Sequence, residues 1–449
     1  MAASHPADLQ RDQVSEAQPS IRKNSPLLYG MGALGSMAIG QAFGGYYQFY
    51  YVDVLGLAVA LLAVINVVYG IWDIVNNPLV GYLSDNTRAR WGRRRPWLLV
   101  ALPFVLVILV LTYAVPEPFR QGSALFWYAL VIVFLFETAA TVMFINYQAL
   151  FPELFQRFRE RTRASAYAQG FGMVGELIGF AFTPIVYTQF GFDGMAVLYA
   201  IVFGILVFVA VLTSSEDPTA QSEPPLRPKG AFGDVLRDRL FWHFAVVTSL
   251  IFFTTALYIL ATPFFTKYAL RASPQAPALI FAAVFVVAIL SVSVWSRLVR
   301  RVGTKRAWLW SIGIVLFATI LSGLAPNLVV GVIVAAIAGL GLGGTQVCRE
   351  MILAKLVDGS LERTGRRQEG IYYSLSMLFG RLSKIVQALA LLLLLLLFGY
   401  VSGEDPGPHP DTAFRFLIGV LPLVCLVPAW ILARRFPMGP DDELPAIGK

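Results

Sequence analysis

Residues 66–97 read NVVYGIWDIVNNPLVGYLSDNTRARWGRRRPW, and the rest of the chain is organised around them. The first half ends an apolar stretch long enough to cross a bilayer, yet it carries the carboxylate of Asp73. A charge near the bilayer centre costs about 3 kcal/mol, so it normally faces a water-filled cavity or a partner. Polar residues recur around Asp73 at steps of three and four, which places them on one helix face. They are Asn66, Tyr69 and Asn77. The second half holds five arginines within eight residues, and a polar stripe above a basic cluster is typical of a transporter with a site and a gate.

The composition indicates an integral membrane protein. The 449 residues are 57% hydrophobic and 14% charged, whereas about a quarter of the residues of a soluble domain are charged. The apolar residues come in repeated blocks of about 18 or more, which is the length that spans a bilayer. The net charge of +8 lies in short loops between these blocks, so we expect the lipid bilayer and a small solute as partners, and no nucleic acid. Cys348 and Cys425 fall within apolar blocks, which argues against a disulfide framework.

Twelve apolar blocks predict twelve transmembrane helices and an all-α fold. They cover 27–52, 57–84, 97–115, 123–155, 164–190, 193–213, 240–267, 274–300, 307–325, 327–356, 370–400 and 412–433. Residues 1–26 are polar and lack the apolar core of a signal peptide, so we expect a disordered tail. The basic residues cluster in the loops after every second helix. By the positive-inside rule both termini are cytoplasmic and the protein is a multi-pass protein of the cell membrane.

A polar, proline-rich segment divides the helices into two sets of six. The expected organisation is a tail (1–26), a bundle (27–213), a cytoplasmic linker (214–239), a second bundle (240–433) and a tail (434–449). The halves echo each other, because the motif at 90–97 recurs in altered form at 301–308, and Glu-Arg-Thr at 160–162 recurs at 362–364. Such repeats predict two related bundles with a site between them near the midplane.

These motifs resemble the signature of the glycoside–pentoside–hexuronide:cation symporters, a family of the major facilitator superfamily. The similarity lies in the WDxxNNPxxG motif from Trp72 to Gly81 and in the loop from Asp85 to Trp97. It continues at 146–162 and from Asp358 to Gly370, and thus spans nearly the whole chain. The arginine loop is also similar to that of sucrose:proton symporters. The resemblance implies a major facilitator fold of two pseudo-symmetric bundles and a cation-coupled symporter that moves a sugar or glycoside-like solute. We expect a monomer with no cofactor.

The resemblance further implies that Asp73 belongs to the cation site. Sodium-coupled members have a second carboxylate one turn on, where this chain has Asn77, so the coupling ion is a proton or sodium. The family's charged pocket positions match Met37, Phe144 and Gln169 here. The family's lysine in the eleventh helix corresponds to Arg381 or Lys384.

The residues themselves leave two readings of Asp73 open. A buried carboxylate that gains and loses a proton suits coupling, because burial favours its neutral form. The alternative is a structural ion pair with Arg381 or Lys384, and a pair that breaks on protonation would satisfy both readings.

Other polar residues inside apolar blocks are candidates for substrate binding. They are Tyr47, Gln48, Tyr69, Glu137, Gln148, Gln169, Arg381 and Lys384. Glu137 and Glu176 can instead cap a neighbouring polar group, and the sequence around Glu137 is locally similar to animal lysophospholipid symporters. Most of the aromatic run 46–51 is expected to form an interfacial belt, with Tyr47 or Gln48 turned inward. Arg349 and Glu350 are adjacent, so we expect them to point in different directions.

Charged residues near the arginine loop are candidates for a gate. Besides fixing topology, ion pairs among them can close the halves on the cytoplasmic side and part when that side opens. The candidates are Asp85, Arg88, Arg93, Arg95, Glu160, Arg161, Asp358 and Arg367.

The favoured function is therefore a symporter of a sugar-like solute. A transporter of lysophospholipids or other amphipathic solutes and a sucrose:proton-type symporter remain alternatives. A membrane enzyme is not expected, because the three histidines are dispersed and no metal-ligand or nucleophile–base spacing is present. A receptor that does not transport would not need to retain Asp73, so the presence of Asp73 argues against this class.

Overall fold

The computed structural model describes residues 24–155, 158–216, 235, 238–364, 372, 375, 376, 380–401 and 406–438, and these form helices joined by short loops. The first half contains six α-helices and two π-helical turns. They are α1 (Pro26–Phe49), π1 (Tyr50–Val54), α2 (Val59–Asp85), α3 (Arg95–Tyr113), α4 (Gly122–Leu154), α5 (Phe158–Leu177), π2 (Ile178–Phe182) and α6 (Thr183–Thr213).

The second half contains seven α-helices and one π-helical turn in its described residues. They are α7 (Arg239–Phe264), π3 (Phe265–Ala269), α8 (Ala276–Val302), α9 (Thr304–Leu324), α10 (Leu328–Thr364), α11 (Ser383–Phe398), α12 (Pro410–Gly419) and α13 (Leu421–Arg435). A short 3-10 turn, Glu117–Phe119, lies before α4. Observed helix ends lie close to most predicted block ends, although most of 370–379 lies outside the described residues.

The helices are consistent with twelve membrane crossings. By length and hydropathy, nine spans stand out among the described residues, and one of them runs over 51 residues from Arg163 to Thr213. That segment turns back at Gly191, whose φ of 75° and ψ of 169° are not helical, so it contains two crossings. Helix α1 and the shorter α11 supply two more, and α12 and α13 together form a single crossing. The described residues therefore agree with the all-α membrane fold that the sequence predicts.

Close main-chain contacts hold the helices of each half together. A Cβ on Gly175 of α5 would lie 2.3 Å from the carbonyl oxygen of Leu34 on α1, so only glycine allows this approach. In the second half, a Cβ on Gly339 of α10 would lie 2.3 Å from the carbonyl oxygen of Val284 on α8. Small residues at such positions let helix backbones meet in a membrane.

Among the described residues, several helix pairs join the two halves, including α6 with α8. Helix α2 packs on α11, α1 packs on α7, and the α5–π2 segment packs on α8. All three π turns found in the described residues lie along this seam, with π2 against α8 and with π1 and π3 in contact through their side chains. π-helical turns occur frequently at functional sites because the extra residue realigns the side chains around it.

Candidate functional site

A cavity of about 3110 Å³ lies between the two halves. It extends to the end of the molecule that carries the arginine loop, where exposed residues such as Asn86, Arg88 and Arg161 line its mouth. At the opposite end the halves are in contact. Asp53 on π1 accepts hydrogen bonds from Lys267 and Tyr268 on π3, and Gln275 donates to Thr188.

Asp73 lies on the cavity wall and is paired across the seam. A guanidinium nitrogen of Arg381, two residues before α11, donates to its Oδ1 at 2.6 Å, and the Asn77 amide donates to the same oxygen at 2.8 Å. The Asp73 side chain is 10% exposed and that of Arg381 is 28% exposed. The two predicted coupling residues therefore lie together, and the cation that reaches Asp73 is Arg381.

Lys384 occupies a different position, in the first turn of α11. Its Nζ lies 5.4 Å from the ring centre of Tyr47 and 5.5 Å from that of Tyr69, close enough for cation–π attraction. The Tyr69 hydroxyl donates to Glu137 on α4 at 2.6 Å. Tyr69 therefore lies between the carboxylate of Glu137 and the ammonium group of Lys384.

A chain of buried amides connects the halves beside this group. Gln387 on α11 accepts a hydrogen bond from Gln48 on α1 at 2.9 Å, and Asn66 on α2 donates to Gln48 at 2.9 Å. Asn66 in turn accepts from the hydroxyl of Tyr47, and Gln387 donates to the carbonyl oxygen of Ala256 on α7 at 2.7 Å. Because each amide both donates and accepts, the chain satisfies these groups without charge.

The aromatic run of 46–51 is not an interfacial belt, so that expectation is wrong. Tyr46, Tyr47 and Tyr51 are 0% exposed and Tyr50 is 5% exposed. Their helix continues into π1 and runs inside the bundle. The Tyr46 hydroxyl donates to the carbonyl oxygen of Phe180, and that of Tyr50 to the carbonyl oxygen of Tyr113 at 2.7 Å. Partners inside the protein thus replace the water that an interfacial tyrosine would contact.

The remaining pocket candidates line the same cavity from the first half. Gln148 at the end of α4 and Gln169 on α5 are exposed to it, and Glu176 lies two turns beyond Gln169. The matched positions Met37 and Phe144 are also on its wall.

The second half gives the cavity a mostly apolar wall. Its lining residues on α7, α8 and α10 include Phe252, Phe285, Ile289, Val292, Ala335 and Ala338. A polar pair interrupts this wall, because Arg349 donates to Glu350 at 2.5 Å. The expectation that these neighbours point apart is wrong, since both side chains turn into the cavity and meet there.

The arginine loop forms a network with the ends of α4 and α6. Arg93 pairs with Glu153 at 2.6 Å, and Arg94 donates to the hydroxyl of Ser84 at 2.6 Å. Arg95 donates to the carbonyl oxygens of residues 211 and 212 at the end of α6. These contacts lie within the first half and fix the loop against it.

The carboxylate of Glu216 sits at the centre of this network. It accepts hydrogen bonds from the backbone N–H groups of Arg93, Arg94 and Arg95 at the start of α3, at 2.5 to 3.1 Å. An anion at a helix N-terminus is favoured by the free N–H groups and the helix dipole. Burial raises the pKa of Glu216 above its usual range, and the three N–H groups oppose that effect.

The other gate candidates lie at the same end. Arg88, Arg161 and Asp358 are exposed, and Glu160 is half-buried. Arg367 and the side chain of Asp85 lie outside the described residues.

Two features of the site have only weak sequence signals. Gln387 is a lone amide in a leucine-rich helix, three residues after Lys384 on the same face of α11. Asp53 looks like an ordinary loop charge after an apolar block, although its side chain is 2% exposed in the folded protein.

Comparison with known proteins places the chain among transporters. A sequence model of the family described as MFS/sugar transport protein matches residues 28–439. The isoprimeverose transporter of Lactiplantibacillus pentosus is 25% identical over 403 residues, which cover 84% of this chain and 81% of that protein. The sodium-dependent lysophosphatidylcholine symporter 1 of Gallus gallus is 24% identical over 485 residues, which cover 98% of this chain and 90% of that protein.

A solved structure has the same fold. A bacterial homologue of the human lysosomal transporter Spinster, in an inward-facing and unoccupied conformation, superimposes with a TM-score of 0.70. The alignment covers 94% of this chain and 98% of that one at 13% identity, so the likeness concerns the fold alone.

Proposed function

Since this chain belongs to the MFS/sugar transport protein family, we propose that it couples a proton to the movement of a glycoside-like solute through the central cavity. It is a cation-coupled symporter and not an enzyme. The observation that carries the proposal is the Asp73–Arg381 pair, because it joins the two halves at a titratable group on the cavity wall. A change of charge at Asp73 therefore changes a contact between the halves, which is the link that coupling requires.

The cavity supports a mechanism of alternating access. It reaches the arginine-loop end, while contacts between the halves close the opposite end. The positive-inside rule assigns the arginine loop to the cytoplasm, so the described state is the inward-open one. We further infer a monomer in the cytoplasmic membrane with both termini inside.

We favour a proton over sodium because of the surroundings of Asp73. Its Oδ1 already accepts from Arg381 and Asn77, so a sodium ion at that oxygen would lie beside a guanidinium. Protonation instead cancels the carboxylate charge and removes its attraction for Arg381. Asn77 offers a neutral amide to either form of Asp73.

The polar part of the cavity suits the hydroxyl groups of a neutral glycoside. Gln148, Gln169 and Tyr69 can donate and accept hydrogen bonds, and the aromatic face of Tyr69 can stack on a sugar ring. Arg381 and Lys384 also line the cavity and can bind hydroxyls as charged partners.

The apolar wall of the second half favours one alternative substrate class. Phe252, Phe285 and Val292 offer a surface for an acyl chain, and the charged groups on α2 and around the start of α11 would face a polar head group. A lysophospholipid or another single-chain amphiphile is therefore the second candidate.

Uptake into proteoliposomes tests the proposal. The purified protein is reconstituted and offered labelled mono- and disaccharide glycosides or lysophosphatidylcholine, under a pH gradient or a sodium gradient in turn. We expect accumulation of a glycoside that requires the pH gradient and disappears with a protonophore. Accumulation of lysophosphatidylcholine alone identifies the second candidate, dependence on the sodium gradient contradicts proton coupling, and transport of neither class contradicts the proposed substrate.

A further inference from the structure

The end of the molecule opposite the arginine loop is closed by two π turns that repeat each other. In π1 the N–H of Leu55 bonds to the carbonyl oxygen of Tyr50, and that of Leu57 to Tyr51. In π3 the N–H of Leu270 bonds to the carbonyl oxygen of Phe265, and that of Ala272 to Thr266. The spacing is five and then six residues in both turns.

The backbone that follows each turn repeats as well. Gly56 has a φ of +74° and Arg271 a φ of +49°, and each comes directly after the residue that closes its π turn. Arg271 is the one non-glycine residue with positive φ within the described chain. Because α1 and α7 are the first helices of the two halves, these motifs are equivalent positions of one internal repeat.

Equivalent residues of the two motifs touch each other. Asp53 and Tyr268 are each the fourth residue of their turn, and the Tyr268 hydroxyl donates to the Asp53 carboxylate. A residue that contacts its own symmetry mate lies close to the axis relating the halves. The contact is therefore central and lies above the cavity.

The contact is polar, buried on one side and backed by aromatic rings. Lys267 donates to Asp53 at 2.5 Å, and the Asp53 side chain is 2% exposed whereas that of Lys267 is 48% exposed. Tyr268 stacks on Phe414 with ring centres 5.3 Å apart. One turn deeper, Phe49 of α1 meets Phe264 of α7 edge to face at 5.2 Å.

We propose that Asp53, Lys267 and Tyr268 form an outer latch that closes the far end of the cavity and parts each time that end opens. The proposal rests on the alternating access proposed above, but not on the identity of the solute or the ion. The two π turns carry the contact because their wider turns direct Asp53 and Tyr268 toward each other at the axis. Parting the latch breaks the hydrogen bonds that Asp53 accepts from Lys267 and Tyr268, and the loss of these charge-assisted contacts is the cost that holds the outer end closed.

The test measures the distance between spin labels, so it needs no substrate. Labels are placed at Gln121 and Ser273, which are exposed on opposite halves of the outer end, in a background with Cys348→Ala and Cys425→Ala. A second label pair, at Asn86 and Ala354, reports on the arginine-loop end. Distances are recorded by pulsed electron paramagnetic resonance on the full chain in nanodiscs.

Asp53→Asn and Tyr268→Phe should each raise the ratio of open to closed outer ends by about fivefold or more, which is the low end of typical conformational couplings. The label pair at the arginine-loop end should shorten in the same samples. Glu117→Gln is the matched control, because it removes an ion pair with Arg120 at the same end but within one half, and it should change neither distance.

Two results would overturn the latch. If the outer distances are unchanged in both Asp53→Asn and Tyr268→Phe, the contact does not stabilise the closed outer end. Longer outer distances without shortening at the arginine-loop end show only local fraying. If the distances change as expected but no sugar is taken up, the result counts against the proposed substrate and not against the latch.

Discussion

Arg381 donates a hydrogen bond to Asp73 at 2.6 Å and thereby joins the residues just before α11 in the second half to α2 of the first. The pair makes the charge of one carboxylate part of the packing between the halves. In the proposed mechanism, ion binding and the relative position of the halves are thus linked at a single oxygen atom.

Replacing Asp73 by asparagine should uncouple the transporter. The amide imitates a permanently protonated carboxyl, so Asp73→Asn should exchange substrate down its gradient but lose at least about tenfold of its accumulation against it. The measurement is labelled-solute uptake with and without an ion gradient. Glu176→Gln, which alters a carboxylate on the same cavity wall, is the control and should keep accumulation. If Asp73→Asn still concentrates the solute, coupling resides elsewhere, with Glu137 and Glu176 the next candidates.

Removing only the cation of the pair should destabilise the folded protein. Arg381→Gln leaves a buried carboxylate without its counter-ion, at a cost of about 2 kcal/mol, less than for a fully buried pair because the Arg381 side chain is 28% exposed. The double variant Asp73→Asn, Arg381→Gln should recover most of this loss, which thermal unfolding in detergent can measure. Arg120→Gln in the exposed pair with Glu117 is expected to change stability by less than about 0.5 kcal/mol. Additive losses in the double variant would contradict a direct interaction.

Gly92 should tolerate no side chain. Its φ is +105°, and a Cβ would lie 2.4 Å from the carboxyl carbon of Glu216, which would have to leave its three N–H donors. We expect Gly92→Ala to cost about 3 kcal/mol in thermal unfolding and to slow transport. Gly122→Ala isolates the backbone cost of about 1 kcal/mol, because Gly122 has a φ of +61° and open space around it. Equal losses in the two variants would show that the Glu216 contact contributes nothing.

Arg271→Gly should stabilise the protein. A left-handed backbone strains any side chain other than glycine, so relief of this strain should gain about 0.5–1 kcal/mol. Arg271→Ala removes the same charge and keeps the strain, and it should show no gain. Thermal unfolding of the three proteins side by side is sufficient, and a gain in the alanine variant would assign the effect to charge.

The orientation of the chain is open to a direct test. A reporter that is active only in the cytoplasm should be active when fused after Arg95, Arg163 or Arg306, because the basic loops remain inside. Fusions after Asp53 or Glu404 should be inactive. Strong activity at either of these two positions would reverse the assignment.

The fold class can be predicted from the sequence because the length of each apolar block indicates a membrane helix. The helix face of Asn66, Tyr69, Asp73 and Asn77 was likewise predictable, since it follows from helical periodicity alone. The partner of Asp73 was not. Arg381 and Lys384 lie one turn apart on one face, and only the packing of α2 on α11 decides which of them reaches a residue 308 positions away.

Composition does not predict the position of a segment when two environments favour the same residue types. Tyrosines are common both at membrane interfaces and in buried seams with hydrogen-bond acceptors, so the run 46–51 was ambiguous. The sequence does not distinguish Asp53 for a related reason: a single acid at a helix end normally faces water, and only contact with π3 buries it. π-helical turns have no simple sequence signature, so their repetition in the two halves became visible only in the backbone.

The glycine contacts inside each half determine how the protein can move. Where Gly175 meets Leu34 and Gly339 meets Val284, main chain rests on main chain, and no rotamer change can let one helix slide past the other. Between the halves, by contrast, long side chains such as Arg381, Gln387 and Lys267 make the contacts, and these can re-form at new distances. Each half should therefore tilt as a rigid body about the seam. When the halves separate at one end of the cavity, they should approach each other at the other end.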